Sequence, residues 1–299
     1  MYDDKTFFLI TFAPEIGLRF TPHDRIAGGA VWTQPLENGV KNSKIVPTLY
    51  YRHESDSWKF SMGMFPRTQL REPLPGFLWC DSLAYFQKNI RGALVQYTHT
   101  NGFFDAYLDW RQHQTETKRE AFNVAFHGEW RPNNKVFLTG AHLLMNHFAK
   151  TKHPSDDESI VDNFLANPFV GVDLSKKTFL DSLVIKTGAL LTIERYREYN
   201  GWKTPGGFWL DTTFEWKFIG LKNSLYAGGE LFPLYSKFGT LLYQGESYYR
   251  SSFYNRTDIY AKIIKNKYLE LEAQLNFNFA KNNFMFYQRL ILEIHLGNI

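Results

Sequence analysis

The 299-residue sequence contains a single cysteine, Cys80, so it can form neither an internal disulfide nor a cluster of thiolate metal ligands. It has no run of about 18 apolar residues, which argues against a transmembrane helix. Neither sign of charge dominates, because 34 basic residues oppose 30 acidic ones, and this balance argues against a nucleic-acid partner. The N-terminal segment also lacks the pattern of a signal peptide. For an exported protein, we therefore expect that a leader was removed or that the chain is a fragment.

Aromatic residues are abundant, at 17% of the chain, and many of them occupy every second position. In "YLELEAQLNFNFAKNNFMFYQRLILEIHL" (268–296), apolar residues such as Leu271 and Leu275 alternate with polar residues such as Glu272 and Asn276. Side chains of a β-strand point alternately to two faces, so this period of two indicates strands. One apolar and one polar face fit either a sheet packed on a core or a barrel with lipid outside and a polar lumen inside.

The same alternation recurs along the whole chain and predicts about 15 strands, many of them near the 9–11 residues that a tilted transmembrane strand requires. Weaker strands are predicted at 25–34, 44–54, 90–99, 135–147, 167–175, 182–195 and 224–232. Short turns are predicted at 21–24, 55–57, 100–102, 132–134, 175–178, 221–224 and 265–267. Longer connections are predicted at 35–43, 71–89, 112–119, 148–164, 196–206 and 233–251. Short turns at one end and long loops at the other are typical of outer-membrane barrels.

These alternating strands, with stretches such as "FAPEIGL", "GMFPR" and "YLDWRQ…REAF", resemble the porin-like outer-membrane β-barrels of Gram-negative bacteria. The resemblance implies one all-β domain over residues 1–299, an antiparallel transmembrane up-and-down barrel of about 14–16 strands with short periplasmic turns. Sixteen is preferred, with one strand missing before Met1. The location implied is the bacterial outer membrane. The implied partners are membrane lipid and lipopolysaccharide, small solutes and other outer-membrane proteins, with no cofactor and no metal.

A barrel of this size has an interior too wide to be filled by strand side chains alone, so we predict a passive porin or small-solute channel with a charged lumen. The predicted basic lining is Arg19, Arg25, Arg52, Lys59, Arg67, Arg111, Arg131, Arg256, Lys262 and Arg289. The predicted acidic lining is Glu15, Asp105, Asp109, Glu129, Asp211, Glu215, Asp258, Glu270, Glu272 and Glu293.

The connection at 71–89 is unusually rich in apolar and rigid residues for an exposed loop. We predict that it folds into the barrel mouth and narrows it. Packing on the rim and docking of a partner are the alternatives. The predicted constriction residues are Pro73, Pro75, Phe77, Trp79 and Tyr85.

Catalytic chemistry has weak support in the sequence, and the prediction is that the protein is not an enzyme. "QYTHTNGFFD" (96–105) faintly resembles the His–Ser–Asn site of outer-membrane phospholipases, through His99 and Asn101, but a threonine would replace the serine. A hairpin turn explains the same residues. The alternatives left open are a barrel enzyme that modifies lipid or lipopolysaccharide, a structural subunit of a larger outer-membrane complex, and a soluble carbohydrate-binding protein.

Overall fold

The computed structural model describes residues 7–37, 43–132, 135–199 and 201–295. Within these residues the chain forms sixteen strands and two short α-helices, α1 (Asp81–Phe86) and α2 (Tyr235–Phe238). The strands are β1 (Leu9–Phe12), β2 (Glu15–Arg19), β3 (Asp24–Pro35), β4 (Lys44–Glu54), β5 (Trp58–Pro66), β6 (Asn89–His99), β7 (Gly102–Gln112), β8 (Ala121–Trp130), β9 (Phe137–Phe148), β10 (Val161–Asp173), β11 (Ser182–Tyr196), β12 (Gly206–Trp216), β13 (Ile219–Gly228), β14 (Phe253–Lys265), β15 (Leu269–Ala280) and β16 (Asn283–Ile294). None of the helices in these residues is long and apolar enough to cross a membrane.

All the strands belong to one sheet in which each pairs antiparallel with its sequence neighbours, apart from the first two. The predicted antiparallel up-and-down arrangement is therefore confirmed. β1 and β2 both pair with β3 and together occupy one edge position. The interruption between them lies at Pro14, whose carbonyl oxygen would be 2.0 Å from a Cβ on Gly29 of β3, so only glycine fits there. The count of sixteen thus includes a divided first strand, and a further strand before Met1 stays a prediction.

Two predicted boundaries are wrong. β10 begins at Val161, six residues before the predicted start at 167. The hairpin between β12 and β13 turns at Lys217 and Phe218 rather than at 221–224, and Lys217 adopts a left-handed φ of 55°. Asn223, which had suggested a turn, lies within β13 and donates a hydrogen bond to Thr257 of β14 over 2.8 Å. Of the predicted turn at 132–134 and loop at 35–43, residues 133–134 and 38–42 lie outside the described part of the chain.

The two faces of the sheet differ as the alternation predicts. Outward-facing apolar side chains are open, with Leu18 and Leu290 each 71% exposed, whereas inward-facing Asn276 and Glu129 are 0% and 3% exposed. In soluble proteins, apolar side chains are mostly buried and polar side chains mostly exposed, so the distribution here is reversed. This inversion is the arrangement of a barrel whose outer face contacts lipid.

Two long loops fold into the interior and pack against each other. We call residues 67–88 the first inner loop and residues 229–252 the second inner loop. The backbone amide of Cys80 donates to the carbonyl of Gln244, and that of Glu246 donates to the carbonyl of Gly76, each over 2.7 Å. The side chain of Phe77 lies edge-on to both Trp209 of β12 and Tyr249 of the second inner loop. The inner loops therefore have an apolar core of their own inside the sheet.

The sheet curves around the inner loops until its two ends approach the same side chain. The hydroxyl of Tyr85 in α1 accepts a hydrogen bond from Arg289 of β16 over 3.1 Å. The ring of Tyr85 also lies 5.7 Å from that of Phe7, just before β1. Both edges of the sheet thus reach one residue in the interior.

We expect Leu275→Arg to prevent membrane assembly. Leu275 lies on the outer face near the middle of β15, and an arginine at mid-bilayer depth on such a face costs about 2–4 kcal/mol. The measurement is the folded fraction in the membrane, from the heat-dependent shift in gel mobility. Glu272→Arg, on the inner face of the same strand, is the control. Equal assembly of the two variants would contradict this assignment of faces.

Candidate active site

The predicted lining residues lie at inward-facing strand positions or, for Arg67 and Arg131, just beyond strand ends, and many form ion pairs. Arg67 contacts Asp109 and Lys262 contacts Glu215, each over 2.6 Å. The positive side chain of Lys186, which the sequence analysis missed, contacts Glu129. Eight of the twenty predicted lining residues therefore pair with one another, as Arg67–Asp109, Arg131–Glu129, Arg256–Asp258 and Lys262–Glu215, and a role in solute selection stays a prediction.

The predicted constriction residues lie in the first inner loop. Phe77 and Trp79 are buried, and the guanidinium of Arg67 lies 3.8 Å above the Trp79 ring. Pro73 remains exposed. The second inner loop was expected only as a long connection, yet it fills the interior together with the first. Its contacts with Asn123 of β8 and Glu194 of β11 span the lumen.

An ion network anchors both inner loops to the last strands. Arg256 of β14 contacts Asp81 at 3.0 Å, Asp258 at 2.9 Å and Glu246 at 3.8 Å. Asp81 also accepts a hydrogen bond from the Tyr287 hydroxyl over 2.6 Å. Burial alone would raise the pKa of Asp81, but the charges of Arg256 and Arg289 outweigh it and hold that pKa below its usual value.

A second polar cluster lies inside the barrel. Glu72, His127 and Glu129 place possible ligand atoms within 4.8 Å of one another. The ammonium of Lys186 already contacts Glu129, so a cationic group is present at this position. The His127 ring stacks on His142 with ring centroids 4.2 Å apart. Because the inner loops and the wall surround the cluster, a membrane lipid has no direct access to it.

The segment with the faint phospholipase resemblance forms a turn. The Nδ1 atom of His99 accepts a hydrogen bond from the backbone amide of Asn101 over 3.3 Å. The hydroxyl of Thr98 accepts a hydrogen bond from Arg71 of the first inner loop. The Nδ1 atom of His99 also lies 3.4 Å from the hydroxyl of Thr100. Because the amide of Asn101 already donates to this nitrogen, His99 caps the turn rather than acting as a free base for that hydroxyl.

A different histidine lies on the outer wall, at the end of the barrel that carries the long loops. His147, near the end of β9, points outward with its side chain 34% exposed. Its Nε2 atom lies 3.6 Å from Oε2 of Glu120, the residue before β8. Its ring stacks on Phe122 at 4.5 Å, and Phe122 stacks in turn on Trp110 of β7 at 5.2 Å. The aromatic rings and the carboxylate fix the orientation of the imidazole.

Charged residues continue this row on the next two strands. Asp162 of β10 is the cross-strand partner of both His147 and Arg195. Its carboxylate accepts hydrogen bonds from Arg195 over 2.7 Å and from Arg197 over 2.6 Å. The guanidinium of Arg195 lies 4.4 Å above the ring of Trp202. We call Glu120, His147, Asp162, Arg195 and Arg197 the rim patch.

The rim patch has the parts of a hydrolytic site that uses water. A general base needs an acceptor nitrogen and a partner that orients it, and His147 with Glu120 provides both. Among the described residues, the polar and ring contacts of His147 are with Glu120 and Phe122 rather than with a serine or threonine hydroxyl. The sequence analysis did not single out His147, because its partner lies on another strand. One signal in the sequence could have indicated this site: polar residues at lipid-facing strand positions, next to aromatic residues on the neighbouring strands.

Comparisons with known proteins agree with the fold and add an activity. A family model described as "Lipid A 3'-O-deacylase-type" matches residues 1–297. The crystal structure of the outer membrane protein opdK from Pseudomonas aeruginosa is similar, with a TM-score of 0.54 at 10% sequence identity, covering 96% of this chain and 90% of that chain. No curated protein matches with significant similarity. The predicted outer-membrane β-barrel is confirmed, whereas the prediction that the protein is not an enzyme is wrong, because the matching family is one of enzymes.

Proposed function

Because the chain belongs to the lipid A 3'-O-deacylase-type family, we propose that it is an outer-membrane hydrolase that removes an ester-linked acyl chain from lipid A. The observation that carries the proposal is the His147–Glu120 pair on the lipid-facing wall, next to the long loops. Long loops of outer-membrane barrels face the outside, where lipopolysaccharide forms the outer leaflet. The pair thus lies on the surface, and near the leaflet, where this substrate is found.

In the proposed reaction, His147 accepts a proton from a water molecule whose oxygen attacks the carbonyl carbon of the ester. The resulting tetrahedral intermediate collapses when the bond between that carbon and the sugar oxygen breaks. The protonated imidazole then returns the proton to the sugar oxygen. The products are a fatty acid and a free sugar hydroxyl, and no covalent intermediate on the protein is needed. Glu120 stabilises the imidazolium and holds its ring in place.

The other members of the rim patch suit a charged, amphipathic substrate. Arg195 and Arg197 share the single carboxylate of Asp162, which leaves one positive charge in excess. Guanidinium groups bind phosphate oxygens in bidentate geometry, and lipid A carries phosphate. Trp202 and Trp110 supply aromatic surface at the level of the lipid headgroups.

The interior supports this proposal better than the passive channel that was our primary expectation from sequence. Both inner loops cross the lumen, and side chains such as Phe77, Leu242 and Tyr249 are at most 1% exposed there. A barrel filled in this way is suited to be a rigid support for chemistry on its outer wall. A barrel enzyme that modifies lipid or lipopolysaccharide was one of the alternatives that the sequence left open.

The test is to produce the protein in the outer membrane of a Gram-negative host and to measure the mass of extracted lipid A. We expect a new species lighter by one acyl chain, with the released fatty acid in equal amount. Cells that produce Leu275→Arg, which should not assemble, are the negative control. Unchanged lipid A in cells with correctly assembled protein would contradict the proposal.

A further inference from the structure

The wall of the barrel is interrupted between β6 and β7 at the long-loop end. β6 begins at Asn89 and β7 continues to Gln112, yet their last paired residues are Gly92 and Asp109. Three residues on each strand therefore have no partner across this seam. The backbone amide of Arg91 instead donates to the carboxylate of Asp109 over 3.1 Å. A side chain has replaced the ladder of backbone hydrogen bonds here, so the strands separate.

A cavity of about 240 Å³ lies at this interruption. A cavity that holds one water molecule needs a volume of about 10–15 Å³, so this cavity is far larger than a packing defect. Its lining includes inward-facing Lys44 of β4 and Asp109 of β7, but also Arg91 and Trp110, which point outward. Residues of both faces thus meet at this cavity, at a seam where no backbone ladder between β6 and β7 closes the wall. We call this opening the β6–β7 portal.

The portal is strongly basic. Lys44, Lys88, Arg91 and Arg111 line it, and Asp109 is the acidic residue among the described lining groups. Arg67 already pairs with Asp109 at 2.6 Å, so the positive charges are not neutralised by it. The buried Nε atom of Arg111 has no hydrogen-bond partner among the described residues. Burial also lowers the pKa of Lys88 by more than the negative charge of Glu293 raises it. An incoming anion would satisfy these groups.

We propose that the β6–β7 portal binds a phosphate ester of a membrane glycolipid that enters from the lipid side. Several cationic donors around one cavity are the chemistry of phosphate recognition, and an opening toward lipid admits a headgroup that stays attached to its acyl chains. Trp110 lies at the portal and begins the aromatic row Trp110–Phe122–His147. The portal is two to three strand spacings from His147, or roughly 10–15 Å at about 4.8 Å per strand. This inference rests on the proposed function and adds a second contact point for the same lipid.

Binding is best measured in a His147→Ala background, in which the lipid is not consumed. The probes are bisphosphorylated lipid A and its dephosphorylated form in detergent micelles, with affinity measured by calorimetry. We expect the phosphorylated form to bind at least about tenfold more tightly, since its phosphate groups add charge-assisted hydrogen bonds to the cationic donors of the portal. Arg91→Glu combined with Lys88→Glu should remove this preference. Lys118→Glu combined with Lys152→Glu, on exposed loops at the same end, should retain it.

Three results would overturn the inference: equal affinity for the two lipids, an equal loss in the control pair, or displacement by inorganic phosphate as effective as by the phosphorylated lipid. The last would assign the portal to a free anion. Should the glutamate pair fail to fold, Arg91→Gln with Lys88→Gln makes the same comparison. Failure of the proposed function is separate, because it would appear as absent hydrolysis by the unmodified protein while the preference for phosphorylated lipid persists.

Discussion

Replacement of His147 by alanine is expected to lower the rate of lipid A deacylation by about 100- to 10,000-fold, the range that general acid–base catalysis contributes. The side chain projects from the outer wall and supports no inner-loop contact, so the barrel should assemble normally. The loss should appear in turnover more than in affinity, because the imidazole acts on the attacking water. Rates are to be measured from fatty acid released by purified protein in mixed micelles.

Two other histidines provide matched controls. His153 also faces a carboxylate, with 3.0 Å between its Nε2 atom and Glu116, but it lies 83% exposed on a loop. His99 caps the turn between β6 and β7. His153→Ala and His99→Ala should each leave the rate within about twofold of the unmodified protein, as expected of exposed positions away from the reaction. A large loss in His99→Ala with intact folding would move the site to the opposite end of the barrel.

Replacement of Arg256 by methionine should be the most destabilising single change in the interior. It leaves Asp81, Glu246 and Asp258 close together without their shared cation. Removal of one partner from a buried ion pair costs about 3–5 kcal/mol. We expect a lower melting temperature of the inner loops and, once they loosen, ion conductance in planar bilayers. Arg52→Met is the control, because Glu54 keeps a second partner, Lys59, at 2.9 Å.

The same network should be sensitive to acid. The folded-state pKa of Asp81 lies below its ordinary value of 3.8. The contribution of this carboxylate to the free energy of unfolding is therefore fully present above pH 3.8. It is lost as the pH falls from 3.8 through the lower folded-state pKa. Without the charge of Arg256, the folded-state pKa of Asp81 should lie closer to its ordinary value. The loss of stability between neutral and acid pH should therefore be smaller in Arg256→Met than in the unmodified protein. Equal stability of Arg256→Met and Arg52→Met at neutral pH would show that the inner loops are held by apolar packing instead.

Strand positions were predictable wherever both faces of a strand were distinct. β4 and β15 follow the period of two closely, and their limits agree with the expectation because lipid on one side and polar lumen on the other enforce alternation. The predicted strand at 167–175 left out the first six residues of β10, most of which were assigned to the loop at 148–164. Asn167, at the predicted start, is fully buried and donates a hydrogen bond to β11. The turn at Lys217 had no signal, since a lysine with positive φ is unusual.

The candidate site was less predictable than the fold. The distance between His147 and Glu120 depends on the register of β8 with β9, which pairs Phe122 with His147. Asp162 was assigned to a loop, so its alignment with His147 and Arg195 could not be foreseen. The β6–β7 portal likewise results from missing pairing between two strands. The alternation of apolar and polar residues along one strand does not indicate which of its residues pair with a neighbour.

The contact between the two inner loops has a consequence for how the protein folds. The amide of Asp81 donates to the carboxylate of Glu246 over 2.9 Å, across 165 positions of the chain. Neighbouring strands can pair by local zippering, but this contact requires the sheet to curl first and bring distant hairpins together. We therefore expect the two inner loops to pack against each other last. They should do so after an intermediate in which most strands are paired and the lumen still contains water. Slow folding steps should accordingly respond to changes in the inner loops, while early steps respond to changes in the hairpins.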